Sequence, residues 1–279
     1  MIKIVTDSTC NLPPHLLQRY DIKVVPTNIQ FGSETYEEGV TIARDTFYRK
    51  IEELGIMPTS SQPSAGQFVE VYRELAGEGH SILSIHITSK HSGTCQSALL
   101  AKSMLPGVDI EVFDSLSISM GTGFQVLAAA RAAEEGRSIA EILDLLQRIR
   151  SRMIIFFTVA TLKYLQMSGR VGRLQEALAA LINIKPIIKV EDGVLKAFQR
   201  VRTRRQSLDR LLELIEEAVG TSDPIRIAVI HAKAPEEAQA LMGKARMRFN
   251  CVEIFVDDLS ITLAVHGGPG LIGLIAYKV

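Results

Sequence analysis

The sequence predicts two α/β-type domains. The first is built on a mainly parallel sheet flanked by helices, and the second is a smaller α+β domain with a mixed or antiparallel sheet. Two observations predict this. Strand-like apolar runs alternate with helical ones through the first half of the 279 residues, the pattern of βα units around a parallel sheet. In the second half, strand-like residues 185–190 and 194–198 flank Glu191-Asp192-Gly193, an antiparallel hairpin signal.

Taken in order, residues 2–6 and 23–26 read as strands, and residues 32–39 are polar and loop-like. Residues 45–54 read as a helix with Phe47, Ile51 and Leu54 on one face. Ser64 is placed to cap a helix through Val69, Tyr72 and Leu75. A buried strand over 81–87 is followed by a helix from about Thr94, then by a strand over 109–113 and an Ala-rich helix over 121–136. Ser138-Ile-Ala-Glu141 is a capping box, and Arg148, Arg150 and Arg152 crowd the end of its helix, where the macrodipole favours them. A fresh strand over 153–159 sets the boundary near Met153, giving domains 1–152 and 153–279. The second domain continues with helix 204–219, which has Leu208, Leu211, Leu212, Ile215 and Val219 inward and Gly220 as its stop. Strand 225–231, a helix opening at Pro235, and strands 252–256 and 271–277 complete it.

Composition narrows the function. Hydrophobic residues make up 47% and Trp is absent, so the core is aliphatic. Net charge is +0 and the pI about 7.0, which gives no electrostatic footprint for nucleic acid or an anionic membrane. The basic run Arg200-Val-Arg-Thr-Arg-Arg205 is the local exception; it reads as a solvated strand-to-helix corner or as a docking patch for an acidic protein. Cys10, Cys95 and Cys251 are scattered and lack metal spacing, which suits a reducing cytoplasm. Met1 leads straight into a strand, so no signal peptide is expected, and no apolar run reaches membrane-spanning length. Without a coiled-coil pattern or a long exposed apolar stripe, a monomer is expected.

Two polar stretches stand out. Thr59-Ser-Ser-Gln62 lies between Pro58 and Pro63, and Pro63 pushes Gln62 toward extended backbone, off the central sheet. Ile87-Thr-Ser-Lys-His-Ser-Gly-Thr94 follows a buried strand and opens a helix. Ser92, Gly93 and Thr94 therefore sit at the carboxyl end of a strand and at a helix N-terminus, where open α/β sheets bind ligands and where N–H groups favour an anion. The plainer alternative for the first stretch is a polar loop capped by Ser64.

Enzymatic readings find less support. Ser92 with His266 invites a lipid esterase or hydrolase, yet Lys-His-Ser-Gly-Thr lacks the Gly-x-Ser-x-Gly elbow. Gly169-Arg-Val-Gly-Arg173 lacks the ending of a P-loop. No His or carboxylate cluster has metal-ligand spacing, so neither metal nor cofactor is expected.

Thr59-Ser-Ser-Gln-Pro-Ser64 and Ser92-Gly-Thr-Cys-Gln-Ser-Ala98 together resemble the signatures of the DegV family. Ile4-Val-Thr-Asp-Ser8, Leu162-Lys-Tyr-Leu-Gln-Met-Ser-Gly-Arg-Val-Gly-Arg173 and His266-Gly-Gly-Pro-Gly270 extend the resemblance along the chain. Ser60 stands where the family usually has Thr, and Ser168 where Gly is frequent. The resemblance implies a bacterial, non-enzymatic lipid carrier with a long-chain fatty acid between its two domains, like the fatty-acid-binding subunit of bacterial fatty acid kinase. The carboxylate roles would fall to Ser60 and Ser92, with Ser61, Gly93, Thr94, Arg170, Arg173, His266 and Gly267 near the head group. A separate kinase would convert the carboxylate to an acyl phosphate. Read from the residues alone, His266 is a turn histidine and Arg170 a helix-start surface charge. Ile29, Phe31, Phe157, Ile187, Leu263 and Ile272 are candidate walls for the tail and equally ordinary core. Burying a ~16-carbon chain is worth roughly 12 kcal/mol before association costs, against about 1.5–3 kcal/mol per charge-assisted hydroxyl bond. The tail would supply affinity and the hydroxyls registry. A lipid-sensing regulator is the remaining alternative.

Overall fold

The computed structural model describes residues 1–170 and 184–279. The chain divides into two units: Met1–Ser151 with Ser260–Val265, and Arg152–Leu259 with His266–Val279.

The first unit holds a four-stranded parallel sheet in the order β2-β1-β6-β7, formed by Lys23–Val25, Ile2–Asp7, Ser81–His86 and Ile110–Asp114. The apolar residues of α3 (Ala65–Gly77) and α4 (Thr94–Ser103) are why these helices lie on the sheet. Phe68, Val69, Tyr72, Leu75, Ala98 and Ala101 form one buried cluster with Val5, Val25, Ile82 and Ile110. Ser64 caps α3 with the expected side-chain bond to the Gln67 N–H, and Gln67 closes the box. The chain passes from β1 to β2 on one side and later to β6 on the other. The reversal of strand order therefore falls at β1 and β6, where ligands of open parallel sheets bind.

A separate three-stranded antiparallel sheet, order β4-β3-β5, consists of Glu34–Glu37, Asn28–Phe31 and Thr59–Ser61. It corrects two expectations. The polar stretch 32–39 contains a strand, because its backbone pairs with β3 although its side chains lack an apolar alternation. The hydroxyl-rich stretch is extended, as Pro63 requires, but it is a paired edge strand of this small sheet. The short helix α1 (Pro14–Arg19) was not expected; it opens at a proline and buries none of its residues.

The second unit is built on a six-stranded mixed sheet, order β10-β9-β8-β13-β11-β12. Its strands are Val194–Val201, Lys185–Glu191, Ile154–Thr158, Ile272–Lys278, Ile225–His231 and Cys251–Asp258. Asp192 and Gly193, both at positive φ, turn the predicted hairpin β9–β10. Helices α8 (Arg204–Val219) and α9 (Pro235–Arg248) pack Leu211, Leu212, Ile215, Leu241 and Met242 on the sheet face that carries Phe156, Ile187, Val229, Ile272 and Leu274. Thr203 and Gln206 form a capping box at the start of α8. Its first two arginines are ion-paired, Arg204 with Glu237 at 2.8 Å and Arg205 with Asp209 at 3.9 Å, so the basic run lies at a capped strand-to-helix corner where these two charges have acidic partners.

Candidate ligand-binding site

The two polar stretches meet within the first unit. A Cβ on Gly93 would lie 2.7 Å from Gln62 Nε2 and 3.0 Å from its Cδ, so the Gln62 side chain lies directly over Gly93. Only a residue without a side chain leaves Gln62 this place. Ser60 stands opposite Ile29 in the β3–β5 pair, half-buried, and Ser61 is exposed. The Gln62 carbonyl accepts from Asn28 Nδ2 at 3.4 Å.

Ser92 is half-buried at the mouth of α4. Its Oγ accepts from the Thr94 N–H at 3.3 Å and shares a hydroxyl bond of 2.8 Å with Thr94 Oγ1. Thr94 itself is buried. The array offers hydroxyls and helix N-terminal amides, neutral donors suited to a carboxylate.

Behind it lies a sealed relay. Tyr72 donates to Ser84 Oγ at 2.7 Å, Ser84 Oγ is 2.7 Å from His86 Nε2, and His86 Nδ1 donates to Asp7 at 3.0 Å. Asp7 also accepts from the N–H groups of Ile87 at 3.1 Å and Thr9 at 3.0 Å. Burial alone would raise the Asp7 carboxyl, but the bond and charge of His86, with Thr9 and the Ile87 amide, hold it below the ordinary value. The order Ser–His–Asp repeats the connectivity of a hydrolase triad. Here, however, all three side chains have 0% exposure and Ser84 sits mid-strand, so no substrate reaches it. The relay braces β1 against β6 and fixes the Asp7 turn and the Ile87 backbone that leads to Ser92. Residue spacing gave no sign of it beyond an apolar strand interrupted by Ser84 and His86.

A second buried carboxylate, Glu38, has neutral partners. It accepts from Ser8 Oγ and Thr27 Oγ1, each at 2.9 Å, from the Ile261 N–H, and from the Thr262 N–H at 3.4 Å. Burial pushes its carboxyl up, against the pull of the bonds from Thr262, Ser8 and Thr27.

In the second unit the other two motifs meet. Gly268 is at φ +71°, and a Cβ there would lie 2.2 Å from Tyr164 Cδ2; one on Gly270 would lie 2.8 Å from Ala160 Cβ. The Gly-Gly-Pro-Gly loop therefore packs directly on Tyr164 of α7 (Lys163–Met167) and on Ala160 ahead of that helix. His266 is half-buried in the last turn of α10 (Ile261–Gly267), a helix where a turn was expected, and Gly267 follows it, buried. Arg170 Nη1 donates to the Ser168 carbonyl at 2.7 Å. Arg173 lies outside the described residues.

The expected tail walls separate into different surroundings. Ile29 and Phe31 are buried in the small sheet of the first unit, with Phe31 edge-on to Phe47 at 5.9 Å, and Leu263 is half-buried in α10. Register puts Ile187, Thr158 and Ile272 in one row on the helix-covered face of the six-stranded sheet. Phe157 sits one residue along and so faces the other side, with Ile188 and Ile230 in its row and Ile155 and Ile275 beside it. Ile187 and Ile272 are thus core residues packed under α8 and α9, and they cannot share a wall with Phe157.

A family model described as "Uncharacterised protein, DegV family" matches residues 1–279. The chain belongs to the DegV family. It is 36% identical over 278 residues to the DegV domain-containing protein BH3627 of Halalkalibacterium halodurans, covering 99% of this chain and 98% of that one. Two solved structures of the family superpose over 100% of this chain and 99% of theirs. One is a DegV family protein from Thermus thermophilus described by its fatty acid binding, with 34% identity and a TM-score of 0.94. The other is DegV from Bacillus subtilis, described as a fatty acid binding protein, with 31% identity and a TM-score of 0.93. Among the described residues of this DegV-family chain, no group of His, Cys, Asp and Glu could hold a metal ion, and no helix is long and apolar enough to cross a membrane.

Proposed function

We propose that this protein is a cytoplasmic carrier that binds one long-chain fatty acid and presents its carboxylate to a separate kinase for conversion to an acyl phosphate. The observation that carries the reading is the Gln62–Gly93 contact. It joins two hydroxyl-bearing stretches at the ligand-binding edge of the sheet, in a family of which the solved Thermus thermophilus and Bacillus subtilis members are described as binding fatty acids. Ser60 and Ser92 hold the carboxylate, with Ser61, Gly93 and Thr94 around it. Arg170, Arg173, His266 and Gly267 serve the phosphorylated head group. The hydroxyls bind more weakly than an Arg clamp would, which suits a head group that is modified and released. Of the candidate tail walls, Phe157 supports the tail. The Ser84–His86–Asp7 relay is not a hydrolase site, since all three of its side chains are buried.

Native mass spectrometry of the purified protein, followed by organic extraction, tests the reading. One C14–C18 fatty acid per monomer is the expected result. An apo mass that also takes up neither palmitate nor oleate removes it. Acyl phosphate formed only when the loaded protein meets a fatty acid kinase and ATP tests the presentation step.

A further inference from the structure

Segment Ser260–Val265 lies between β12 and β13 in sequence yet belongs to the first unit. Groups of that unit hold its start. Asn11 Oδ1 accepts from the Ser260 N–H at 3.0 Å and from Ser119 Oγ at 3.0 Å. Glu38 accepts from the amides of Ile261 and Thr262. Thr262 Oγ1 is 2.5 Å from Thr27 Oγ1, which itself donates to Glu38. These are the first amides of α10, which have no partner inside the helix. Asn11 adopts the left-handed backbone at φ 57° that aims its side chain here.

A buried carboxylate is a costly way to cap a helix, because desolvation acts on it and its partners are neutral. What it provides is a single defined geometry: a planar acceptor bonded from both sides by hydroxyls and amides. The last turn of that same helix carries His266.

We propose that Glu38 is a positioning residue for His266: by fixing the first turn of α10 it fixes the helix backbone that carries the imidazole. The proposal rests on the fatty acid reading for what His266 contacts. Glu38 itself touches no ligand. Glutamine can retain most of the array, because Oε1 serves the Ile261 amide while Nε2 donates to the Ser8 and Thr27 hydroxyls, which can turn to accept. Alanine cannot.

The test compares Glu38→Ala, Glu38→Gln, His266→Ala and the Glu38→Ala/His266→Ala double variant. In hydrogen exchange, Glu38→Ala should speed amides 261–267 by about tenfold or more while amides 82–87 keep their protection, and Glu38→Gln should stay near the parent. Palmitate affinity should fall about tenfold in Glu38→Ala and in His266→Ala, with no further loss in the double variant. Uniformly faster exchange across both segments would show a merely structural role and overturn the proposal. So would additive losses in the double variant, or an affinity that His266→Ala lowers and Glu38→Ala does not. If the parent binds no palmitate, the carrier reading fails on its own. The His266 imidazole nitrogen shifts then decide: moved in Glu38→Ala and unmoved in Glu38→Gln supports the assignment, and unmoved in both overturns it.

Discussion

His86 donates its Nδ1 proton to Asp7 at 3.0 Å in a place where neither side chain meets solvent. The two residues stand 79 positions apart and tie the ends of adjacent parallel strands. Removing the carboxylate leaves His86, the Ile87 amide and the Thr9 amide without their shared acceptor. Asp7→Ala should cost about 3–5 kcal/mol in urea unfolding at neutral pH.

The same pair sets a pH dependence. The folded Asp7 carboxyl titrates below its ordinary 3.8, so below that value the unfolded chain binds more protons than the folded one. The stabilisation is complete above 3.8 and drains away as pH falls through the folded value. The gap in urea midpoint between parent and Asp7→Ala should therefore hold from neutrality to about pH 5 and narrow by about pH 3. A gap that widened in acid would contradict the assignment.

Gly93→Ala places a methyl where Gln62 Nε2 now lies. The amide swings away at little cost to the fold, because it is the end of a flexible side chain. Fatty acid affinity should fall several-fold with a Tm change within about 2 °C, and Gln62→Ala in the same chain should restore space and part of the affinity. Calorimetric titration with palmitate and thermal unfolding read both arms.

Ser60→Ala and Ser92→Ala each remove one neutral donor from the proposed carboxylate cradle. Each should weaken palmitate binding about tenfold, and methyl palmitate, which lacks the charge, should be insensitive to both. A double variant that binds palmitate like the parent would sink the head-group assignment.

The two faces of the six-stranded sheet predict opposite phenotypes. Ile187→Ala and Ile272→Ala open cavities beneath α8 and α9 and should cost about 2–5 kcal/mol each in stability. Phe157→Ala should instead lower fatty acid affinity at a given stability. Denaturant melts on delipidated protein, beside binding on the same samples, separate the two effects.

Much of the fold is legible in the residues. Helix 204–219 declares itself by the period of Leu208, Leu211, Leu212 and Ile215, and by Thr203 with Gln206 at its mouth. The hairpin declares itself by Asp192-Gly193. Strand β4 does not, because Glu34, Thr35, Tyr36 and Glu37 are held by backbone pairing rather than by an alternating apolar face. In the candidate site the hydroxyl stretches are visible as composition. Their meeting at Gln62 and Gly93 is not, since it depends on how β5 and α4 are set in the folded unit. Glu38 gives no signal either: it follows Glu37 in a polar run and becomes buried only through partners such as Ile261. Phe157 and Ile187 look alike in sequence, and only strand register sends them to opposite faces.

The Glu38–Ile261 bond spans 223 positions of chain. On the ribosome, at roughly 5–20 residues per second, Ile261 is made on the order of 10–40 s after Glu38. Through that interval Glu38 lacks the amides of Ile261 and Thr262, and Asn11 has no Ser260 to hold. The nascent first unit therefore waits in an incomplete, wetter form, and its last turn of maturation is timed by translation of a segment encoded far downstream.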